Sequence, residues 1–566
     1  MTDLQSTYFL RVPPFPRARP VSPAVDNAPR NAPLNMLATD ESPSEVRRRL
    51  LSVRVGGEFW APPMPHTGAA IHILCPQTLA QAKGMHAALI ASGAFPWRAI
   101  VPTGREGKRI KAWLQQQGGR VDYGPVDPWS ILDGAVSLFV SAGDERAIVA
   151  QIAGVPVRHF TVADGREIAS PPVDPLTVIE AVLLANRHYH DCFTGAPCAP
   201  IAMIDQLTAW RTMIDGNRKI AAAAGIADWK RQEIETFLWA GQARQRLFYR
   251  SAANAVQAAG RAKGAIAVWP SRVPASVFSL AKAASVPICQ IEDGFIRSVG
   301  LGSGLHPPQS VVVDPIGIYY DPTQPSALEV LLETMPFPQS LIDRASALVA
   351  MIVASGISKY AAGHDRPPES PATGRRVLVT GQVEDDRSVL LGGGDVRGNF
   401  DLLRRARAHE PDSFLIFKPH PDVEAGHRKG AISDRECLKF ADLVVRDVSM
   451  AAMLEAVDAV HVWTSLAGFE ALLRRREVIV HGQPFFAGWG LTQDLAGALP
   501  RRTRRLSLME LVAGSLLVYP QYLDPVTKLP CTPELLISRM AQPSFQHQSL
   551  LTRVRALQGQ VNRWFR

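Results

Sequence analysis

The chain has 566 residues, of which 46% are hydrophobic and 20% charged, and its formal net charge is +9. This composition predicts a globular protein of about three domains, and the positive charge favours anionic partners such as nucleotides, acidic sugars or anionic lipid surfaces. The six cysteines include no CxxC pair and no apolar run reaches about 18 residues, which argues against a disulfide scaffold, a zinc module and a membrane span.

Residues 1–65 are predicted to form a mostly disordered arm, because they are rich in proline and arginine and show little periodicity. No apolar segment of a signal peptide is expected there. Farther along, short apolar runs alternate with amphipathic helical stretches, which indicates an α/β fold with parallel strands. The runs are Ile71–Leu74, Ser137–Val140, Ala265–Trp269, Val286–Ile291, Arg376–Thr380, Phe414–Phe417, Ala459–Trp463 and Glu477–Val480.

Residues 174–200 are similar to residues 505–533. Leu176, Glu180 and Tyr189 align with Leu506, Glu510 and Tyr519, and after a slip of three residues Pro197, Cys198 and Pro200 align with Pro530, Cys531 and Pro533. The shared prolines and cysteines favour an internal repeat over a chance similarity of two amphipathic helix pairs. We therefore expect the degenerate remnant of one module at 66–204, followed by one complete module.

The first polar cluster follows the apolar run Val286–Ile291, which is predicted to be a strand. Glu292 and Asp293 are followed by Arg297, Ser298 and three spaced glycines. Because ligands bind at the carboxyl ends of strands in open α/β sheets, we expect these residues near a binding site. An ordinary acidic turn paired to Arg297 is the alternative.

The second cluster follows the strand predicted at Arg376–Thr380. Gln382 precedes three consecutive carboxylates, Glu384, Asp385 and Asp386, and Arg387 comes next. Three adjacent carboxylates can bind a hard metal ion or supply a nucleophile and a base. An exposed acidic loop is the alternative, which the position after a strand disfavours.

Three more clusters follow later strands. Lys418 and His420 stand in a Lys-Pro-His-Pro sequence that can bind a phosphate, and Thr464-Ser465 can cap a helix whose N-terminus attracts anions. Glu470 lies farther along this helix, where it could reach ribose hydroxyls, and Trp489 belongs to a Gly/aromatic loop suited to the wall of a sugar pocket. Structural roles for these residues (a strand-end histidine, a plain cap, a surface glutamate, core packing) stay open. Together the strand-end sites predict two facing α/β units with a cleft between them.

The last 32 residues, 535–566, contain five arginines and no acid, with apolar residues at helical spacing from Leu550 to Trp564. This pattern predicts a basic amphipathic helix. Such a helix can lie on an anionic membrane surface or dock its apolar face on its own protein, and the sequence leaves both open.

The strings EDGFIRSVGLG, GQVEDDRS, KPHPDVEAG, TSLAGFEALL and PFFAGWGLT, in this order, resemble the capsule polysaccharide β-Kdo transferase family of the KpsC type. The resemblance covers about residues 205–535 and is greatest to the second of the two catalytic modules that full-length members carry. It implies the GT-B plan, a pair of Rossmann-type domains with parallel sheets, here preceded by the degenerate partial module. The expected domains are 1–65, 66–204, 205–370, 371–534 and 535–566.

The resemblance implies a retaining transfer of Kdo from CMP-β-Kdo to a lipid-linked, phosphatidylglycerol-based Kdo acceptor during capsule synthesis. Asp386 matches the family's nucleophile position, and Glu292 or Asp293 could act as the base. The expected substrate-binding residues are Arg297, Ser298, Gln382, Glu384, Asp385, Arg387, Lys418, His420, Thr464, Ser465, Glu470 and Trp489. Because the region before 205 lacks the EDGF and QVEDD elements, we expect one active site.

No cofactor and no metal ion are expected, since the resemblance implies a metal-independent reaction. The expected location is cytoplasmic, peripheral at the inner face of the inner membrane, with a second Kdo transferase as a candidate partner and no nucleic acid. Two alternatives stay open: another nucleotide-sugar enzyme on the same fold, such as an epimerase or a hydrolase, and a non-catalytic capsule-export protein that binds glycolipid.

Overall fold

A computed structural model describes residues 9–21, 25–27, 41–65, 68, 70–185, 187–242, 246–296, 307–356, 374–497 and 499–542. The chain divides into two compact units, the first made of 1–219, 238–245 and 526–528 and the second of 220–237, 246–525 and 529–566. The boundary predicted between 204 and 205 is wrong, because it falls inside the continuous helix Pro200–Asn217.

The first unit contains a six-stranded sheet of order β4-β3-β2-β5-β6-β7, parallel except between β6 and β7, and a three-stranded antiparallel sheet of order β1-β8-β9. Its strands are β1 Val25–Asn27, β2 Ile71–Leu74, β3 Trp97–Val101, β4 Arg120–Tyr123, β5 Ala135–Ser141, β6 Val157–Phe160, β7 Glu167–Ile168, β8 Arg187–His190 and β9 Pro197–Cys198.

The helices of the first unit begin at side chains that accept hydrogen bonds from the first free backbone N–H groups, such as Ser42, Thr78, Asp144 and Asp174. They are α1 Pro43–Val53, α2 Leu79–Ala91, α3 Gly104–Gln116, α4 Glu145–Ala153, α5 Pro175–Ile179 and α6 Pro200–Asn217, and a π-helical turn, Glu180–Leu184, continues α5.

The predicted disorder of residues 1–65 is wrong for the described parts of this segment. Phe9 and Phe15 are buried, and the Phe15 ring lies 5.7 Å from the Trp210 ring and 4.6 Å from the Trp239 ring. Residues 43–53 form α1, which buries Leu50. The aromatic and aliphatic residues between the prolines bury enough apolar surface to order the chain, which composition alone did not indicate.

The second unit contains two sheets. The first has the order β11-β10-β12-β13-β14-β21-β22, parallel from β11 to β13 and antiparallel from there on, and the second has the wholly parallel order β17-β16-β15-β18-β19-β20. The strands are β10 Ile220–Ala224, β11 Phe248–Tyr249, β12 Ala265–Val268, β13 Ile288–Asp293, β14 Ser310–Asp314, β15 Arg376–Thr380, β16 Phe414–Lys418, β17 Leu443–Val444, β18 Ala459–Val462, β19 Glu477–Val480, β20 Gln493–Asp494, β21 Gln521–Leu523 and β22 Pro530–Cys531.

The helices of the second unit connect these strands. They are α7 Arg231–Phe237, α8 Ala252–Arg261, α9 Ser276–Ala283, α10 Ala327–Thr334, α11 Gln339–Ala354, α12 Arg387–Gly392, α13 Asn399–His409, α14 Pro421–Glu424, α15 Asp434–Cys437, α16 Met450–Ala456, α17 Leu466–Leu473, α18 Leu508–Val512 and α19 Pro533–Met540, and a π-helical turn, Ala513–Val518, follows α18. Across the described part of the chain, no helix combines the length and hydrophobicity needed to cross a bilayer.

This architecture confirms the predicted pair of Rossmann-like halves, and a strand lies in each of the eight predicted runs. One boundary needs correction, because the chain returns to the first half: β21 and β22 extend the sheet that contains β14 rather than the sheet of 376–494. The predicted half 371–534 therefore ends before β21. Of the predicted C-terminal helix, residues 543–566 lie outside the described part of the chain.

The internal repeat is visible in the order of elements. In both copies a short helix, a π-helical turn, an antiparallel hairpin and a further helix follow one another. The Tyr189 hydroxyl donates to the Leu183 carbonyl at 2.9 Å, and the Tyr522 hydroxyl donates to the Leu516 carbonyl at 2.7 Å. Tyr189 therefore corresponds to Tyr522 and not to Tyr519.

This correspondence removes the slip of three residues, because the aligned prolines and cysteines have the same spacing as these tyrosines. The predicted pairs of Leu176, Glu180 and Tyr189 were each three residues out of register. The two six-stranded sheets also share one strand order. Within its described residues, the first unit thus repeats the portion of the second from β14 onward.

Candidate functional site

The candidate site is built on three neighbouring parallel strands. In the order β16-β15-β18, Thr380 at the end of β15 pairs with Lys418 at the end of β16, and β18 ends at Val462 on the other side. The loops that leave these strands therefore start at the same edge of the sheet, where open α/β folds bind ligands. They carry the predicted residues 382–387, 418–420 and 464–465.

Gln382 joins two of these loops. Its side-chain amide donates to Thr464 Oγ1 at 2.7 Å and accepts from the Thr464 backbone N–H at 3.0 Å. Its own backbone N–H donates to Asn399 Oδ1 at 2.8 Å, and Asn399 Nδ2 donates to the Gln382 carbonyl at 2.7 Å. Gln382 and Asn399 are buried, so these bonds fix the loops in place. Asn399 was not among the residues predicted from the sequence.

Asp386 is the residue before α12 and caps its first turn. Its Oδ1 accepts from the backbone N–H and from the hydroxyl of Ser388, both at 3.0 Å. The Ser388 hydroxyl in turn lies 3.2 Å from Thr464 Oγ1. A half-buried carboxylate is thereby held in one orientation at the sheet edge, as a nucleophile requires.

The three adjacent carboxylates have different partners. Glu384 Oε1 accepts from the Asn399 backbone N–H at 2.8 Å, and exposed Asp385 forms an ion pair with Arg428 at 3.2 Å, while Asp386 binds Ser388. These contacts give Glu384 and Asp385 structural roles, and their substrate contacts stay a prediction. Within the described residues, no group of three or more His, Cys, Asp or Glu side chains is arranged to hold a metal ion.

Lys418 and His420 follow β16. Lys418 is buried, its Nζ donates to the Arg446 carbonyl at 2.9 Å, and burial lowers the pKa of its ammonium group against the opposing charges of Asp447 and Glu424. His420 Nδ1 accepts from the Asp422 backbone N–H at 3.1 Å, so in the neutral ring the proton is on Nε2. His420 can therefore donate to a phosphate oxygen.

Ser465 precedes α17 and caps it, accepting from the Ala467 backbone N–H at 3.3 Å. Ser465 is half-buried, and its capping bond agrees with the predicted helix start. Glu470 is buried inside the same helix, with 8% of its surface exposed. Its predicted contact with ribose hydroxyls is untested.

Glu292 and Asp293 end β13. Because successive side chains of a strand point to opposite faces, the carboxylates of Glu292 and Asp293 lie on opposite faces of the sheet and cannot contact the same ligand atom. Asp293 Oδ1 forms an ion pair with Lys230 Nζ at 3.0 Å, and the ammonium group lies 3.6 Å from the centre of the Trp269 ring. The charge of Glu292 instead acts on the Tyr320 hydroxyl, as does that of Arg387.

This difference separates the two base candidates. Glu292 shares a neighbour, Tyr320, with Arg387, the residue next to Asp386, whereas Asp293 is held by a buried lysine. Glu292 is therefore the carboxylate associated with the Asp386 loop. Lys230 and Tyr320 were missed by the sequence reasoning, although Lys230 lies between Trp229 and Arg231 in a stretch rich in charge.

Trp489 does not lie at a pocket wall, contrary to expectation. It is 0% exposed, and its indole N–H donates to the Phe485 carbonyl at 2.8 Å. A tryptophan in a Gly-rich loop is equally typical of the core and of the surface, and Trp489 lies in the core. Arg297 and Ser298 lie outside the described residues.

Comparison with known proteins gives three main findings. The family model for capsule polysaccharide biosynthesis proteins matches residues 264–522. The capsule polysaccharide modification protein LipA of Neisseria meningitidis serogroup A is 38% identical over 361 residues, which cover 63% of this chain and 50% of LipA. The chain thus spans about half the length of the curated relatives it matches.

Two solved chains of Thermosulfurimonas dismutans KpsC are also similar. The β-Kdo 2,7 transferase is 34% identical, covering 57% of this chain and 99% of its own, with a TM-score of 0.47. The β-Kdo 2,4 transferase is 32% identical, covering 57% of this chain and 98% of its own, with a TM-score of 0.48.

Proposed function

Since the chain belongs to the capsule polysaccharide biosynthesis family, we propose that its second unit is a retaining glycosyltransferase that moves Kdo from CMP-β-Kdo to a lipid-linked Kdo acceptor. The observation that carries this proposal is the carboxylate of Asp386, held by Ser388 at a strand-end edge beside Arg387. The 34% identity to a β-Kdo transferase along nearly its whole length supports the sugar.

In the proposed reaction, the Asp386 carboxylate attacks the anomeric carbon of Kdo. The bond from this carbon to the phosphate oxygen breaks, and its electron pair leaves with CMP. CMP is a weak base, so the site needs to stabilise its charge more than to protonate it. His420, Lys418 and the backbone N–H groups behind Ser465 are the groups we assign to this phosphate.

In the second step, the acceptor hydroxyl attacks the same carbon from the opposite face. Glu292 takes the hydroxyl proton, and Asp386 leaves as a carboxylate. Two inversions retain the configuration of the donor. Of the two predicted arginines, Arg387 is the one that the structure describes. We assign it to the Kdo carboxylate, because a guanidinium binds a carboxylate bidentately.

The lipid of the acceptor and a location at the inner face of the inner membrane are part of the proposal. They rest on the family resemblance and on the basic sequence of 535–566. The identities to the 2,7 and 2,4 transferases, 34% and 32%, do not favour either linkage.

Replacing Asp386 with asparagine tests the proposal. Asparagine keeps the shape and the hydrogen bonds to Ser388 but is not a nucleophile, so we expect the transfer rate to fall roughly 1,000-fold or more with little change in stability. The rate is measured with a CMP-Kdo supply and a synthetic lipid-Kdo acceptor. The matched control is Asp395→Asn, because Asp395 is exposed and pairs with Arg405. Equal rates in the wild type and Asp386→Asn would remove Asp386 as the nucleophile.

A further inference from the structure

Tyr320 has a buried hydroxyl whose hydrogen-bonding capacity is unused within the described part of the chain. It follows β14 in the second unit, 8% of its surface is exposed, and its hydroxyl oxygen makes no hydrogen bond among the described residues. A buried unpaired hydroxyl costs folding free energy, so native proteins keep few of them, and those that remain often have a function.

Other buried or half-buried tyrosines do not share this feature. The hydroxyls of Tyr189, Tyr522 and Tyr519 donate to Leu183 O, Leu516 O and Asp314 Oδ2 at 2.9, 2.7 and 2.8 Å. Tyr319, next in the chain, donates to the Asp293 carbonyl at 3.3 Å. Within the described residues, Tyr320 therefore differs from these four tyrosines in having no hydrogen-bond partner.

The surroundings of Tyr320 associate it with the candidate site. Its ring belongs to a small apolar cluster with Val312 and Ile318, against which Leu391 of α12 packs. Asp386 caps α12 and Arg387 begins it. The Arg387 guanidinium lies beside the Tyr320 hydroxyl without forming a hydrogen bond of good geometry.

The charges around the hydroxyl keep it protonated. Burial and the Glu292 carboxylate raise the pKa of Tyr320, and Asp321 adds to this, while Arg387 opposes them. The phenol is thus protonated at neutral pH and can act as an O–H donor. A neutral donor between a carboxylate and a guanidinium suits an anionic oxygen that enters with a ligand.

We propose that the Tyr320 hydroxyl is a substrate-binding donor, which hydrogen-bonds to an anionic oxygen of the bound sugar nucleotide, supplied either by the sugar carboxylate or by the phosphate. This inference rests on the proposed function. It adds to the site a residue whose hydroxyl acquires its partner when the donor binds.

The test is Tyr320→Phe, which removes only the hydroxyl. Because that hydroxyl has no hydrogen-bond partner among the residues that the structure describes, its loss leaves the Tm unchanged or slightly higher. The expected kcat/KM for CMP-Kdo falls about 10- to 100-fold, the range for one hydrogen bond to a charged group. The matched control is Tyr522→Phe, whose hydroxyl has a structural partner, so it lowers the Tm and leaves kcat/KM unchanged.

Titration calorimetry with CMP alone and with free Kdo alone identifies the anion. A weaker affinity of Tyr320→Phe for Kdo, with CMP unchanged, assigns the carboxylate, and the reverse result assigns the phosphate. Wild-type kcat/KM in Tyr320→Phe, or a lower Tm together with unchanged affinities, overturns the inference. If the wild type transfers no Kdo, the proposed function fails on its own, and unchanged affinities for both ligands then overturn the role of Tyr320 separately.

Discussion

His461 and His481 form a buried pair in the sheet of 376–494. Nδ1 of His461 and Nε2 of His481 lie 2.9 Å apart, and His409 and Glu410 lie nearby. Burial lowers the pKa of both imidazoles below the ordinary value. The nearby imidazoles at His461, and Arg405 and His409 at His481, lower the pKa further, whereas Glu410 at His461 and Asp401 and Asp395 at His481 act against this. Both rings are therefore neutral in the folded protein at pH 7.

This pair makes stability depend on pH. Above about pH 6.5 the imidazoles are neutral in both the folded and the unfolded chain and contribute nothing. As the pH falls below that value, the unfolded chain binds protons that the folded protein excludes. We expect the free energy of unfolding to fall by up to about 1.4 kcal/mol per pH unit for each excluded proton.

Urea unfolding between pH 7.5 and 5 measures this effect. The dependence on pH should be shallower in His481→Asn than in the wild type. It should be unchanged in His427→Asn, since His427 is exposed. A His481→Asn variant with the wild-type slope would contradict the assignment.

Single residues show where sequence reasoning stops. The motif around 382–388 indicated an acidic loop at a strand end, and the structure has that loop there. The motif did not show which of its carboxylates has a structural partner. Glu384 accepts a hydrogen bond from the backbone N–H of Asn399, which lies 15 residues farther along the chain. The tight approach of Glu384 to Gly398, whose φ is +105°, also has no local signal in the motif.

At the scale of elements, the apolar runs predicted strands well, whereas an alanine-rich strand was not predicted. β10 has the sequence IAAAA, which favours a helix by intrinsic propensity. It nevertheless pairs with β11 and β12 in the sheet interior, where four of its five residues are buried. Tertiary context decides such segments, because small residues fit a strand that is covered on both faces.

Two corresponding helix starts differ in charge between the units. α17 is capped by Ser465 after Thr464, whereas α4 of the first unit is capped by Asp144 and begins with Glu145. Asp144 forms an ion pair with Arg146 at 2.6 Å, and Glu145 forms one with Arg11 at 2.6 Å. The cavity of about 340 Å³ at this end of α4 is also lined by Glu58. The three carboxylates outnumber the two guanidinium groups of Arg11 and Arg146, so the net charge at this helix N-terminus is negative and disfavours a phosphate.

This difference predicts one CMP per chain. Titration calorimetry should give a stoichiometry near one. Ser465→Asp places the cap of the first unit in the second and should abolish CMP binding, because aspartate still caps the helix but repels the phosphate. Ser251→Asp, at the start of α8, is the control and should bind normally. A stoichiometry of two, or normal binding by Ser465→Asp, would contradict the prediction.

At the scale of the whole molecule, the sequence predicted one complete module after the tail of another. The shared strand order and the equivalent tyrosine bonds at 189 and 522 support this interpretation. The return of β21 and β22 to the first sheet was not predictable, because their few residues carry no signal for a partner strand far away in sequence. Their pairing is decided by the fold that precedes them.

The most direct test of the account is the reaction itself. Purified protein is incubated with an in situ supply of CMP-Kdo and a synthetic lipid-Kdo acceptor, and the product is analysed by NMR. We expect addition of Kdo to the acceptor with the β configuration of the donor retained. An α-linked product, or release of CMP without any Kdo on the acceptor, would contradict it.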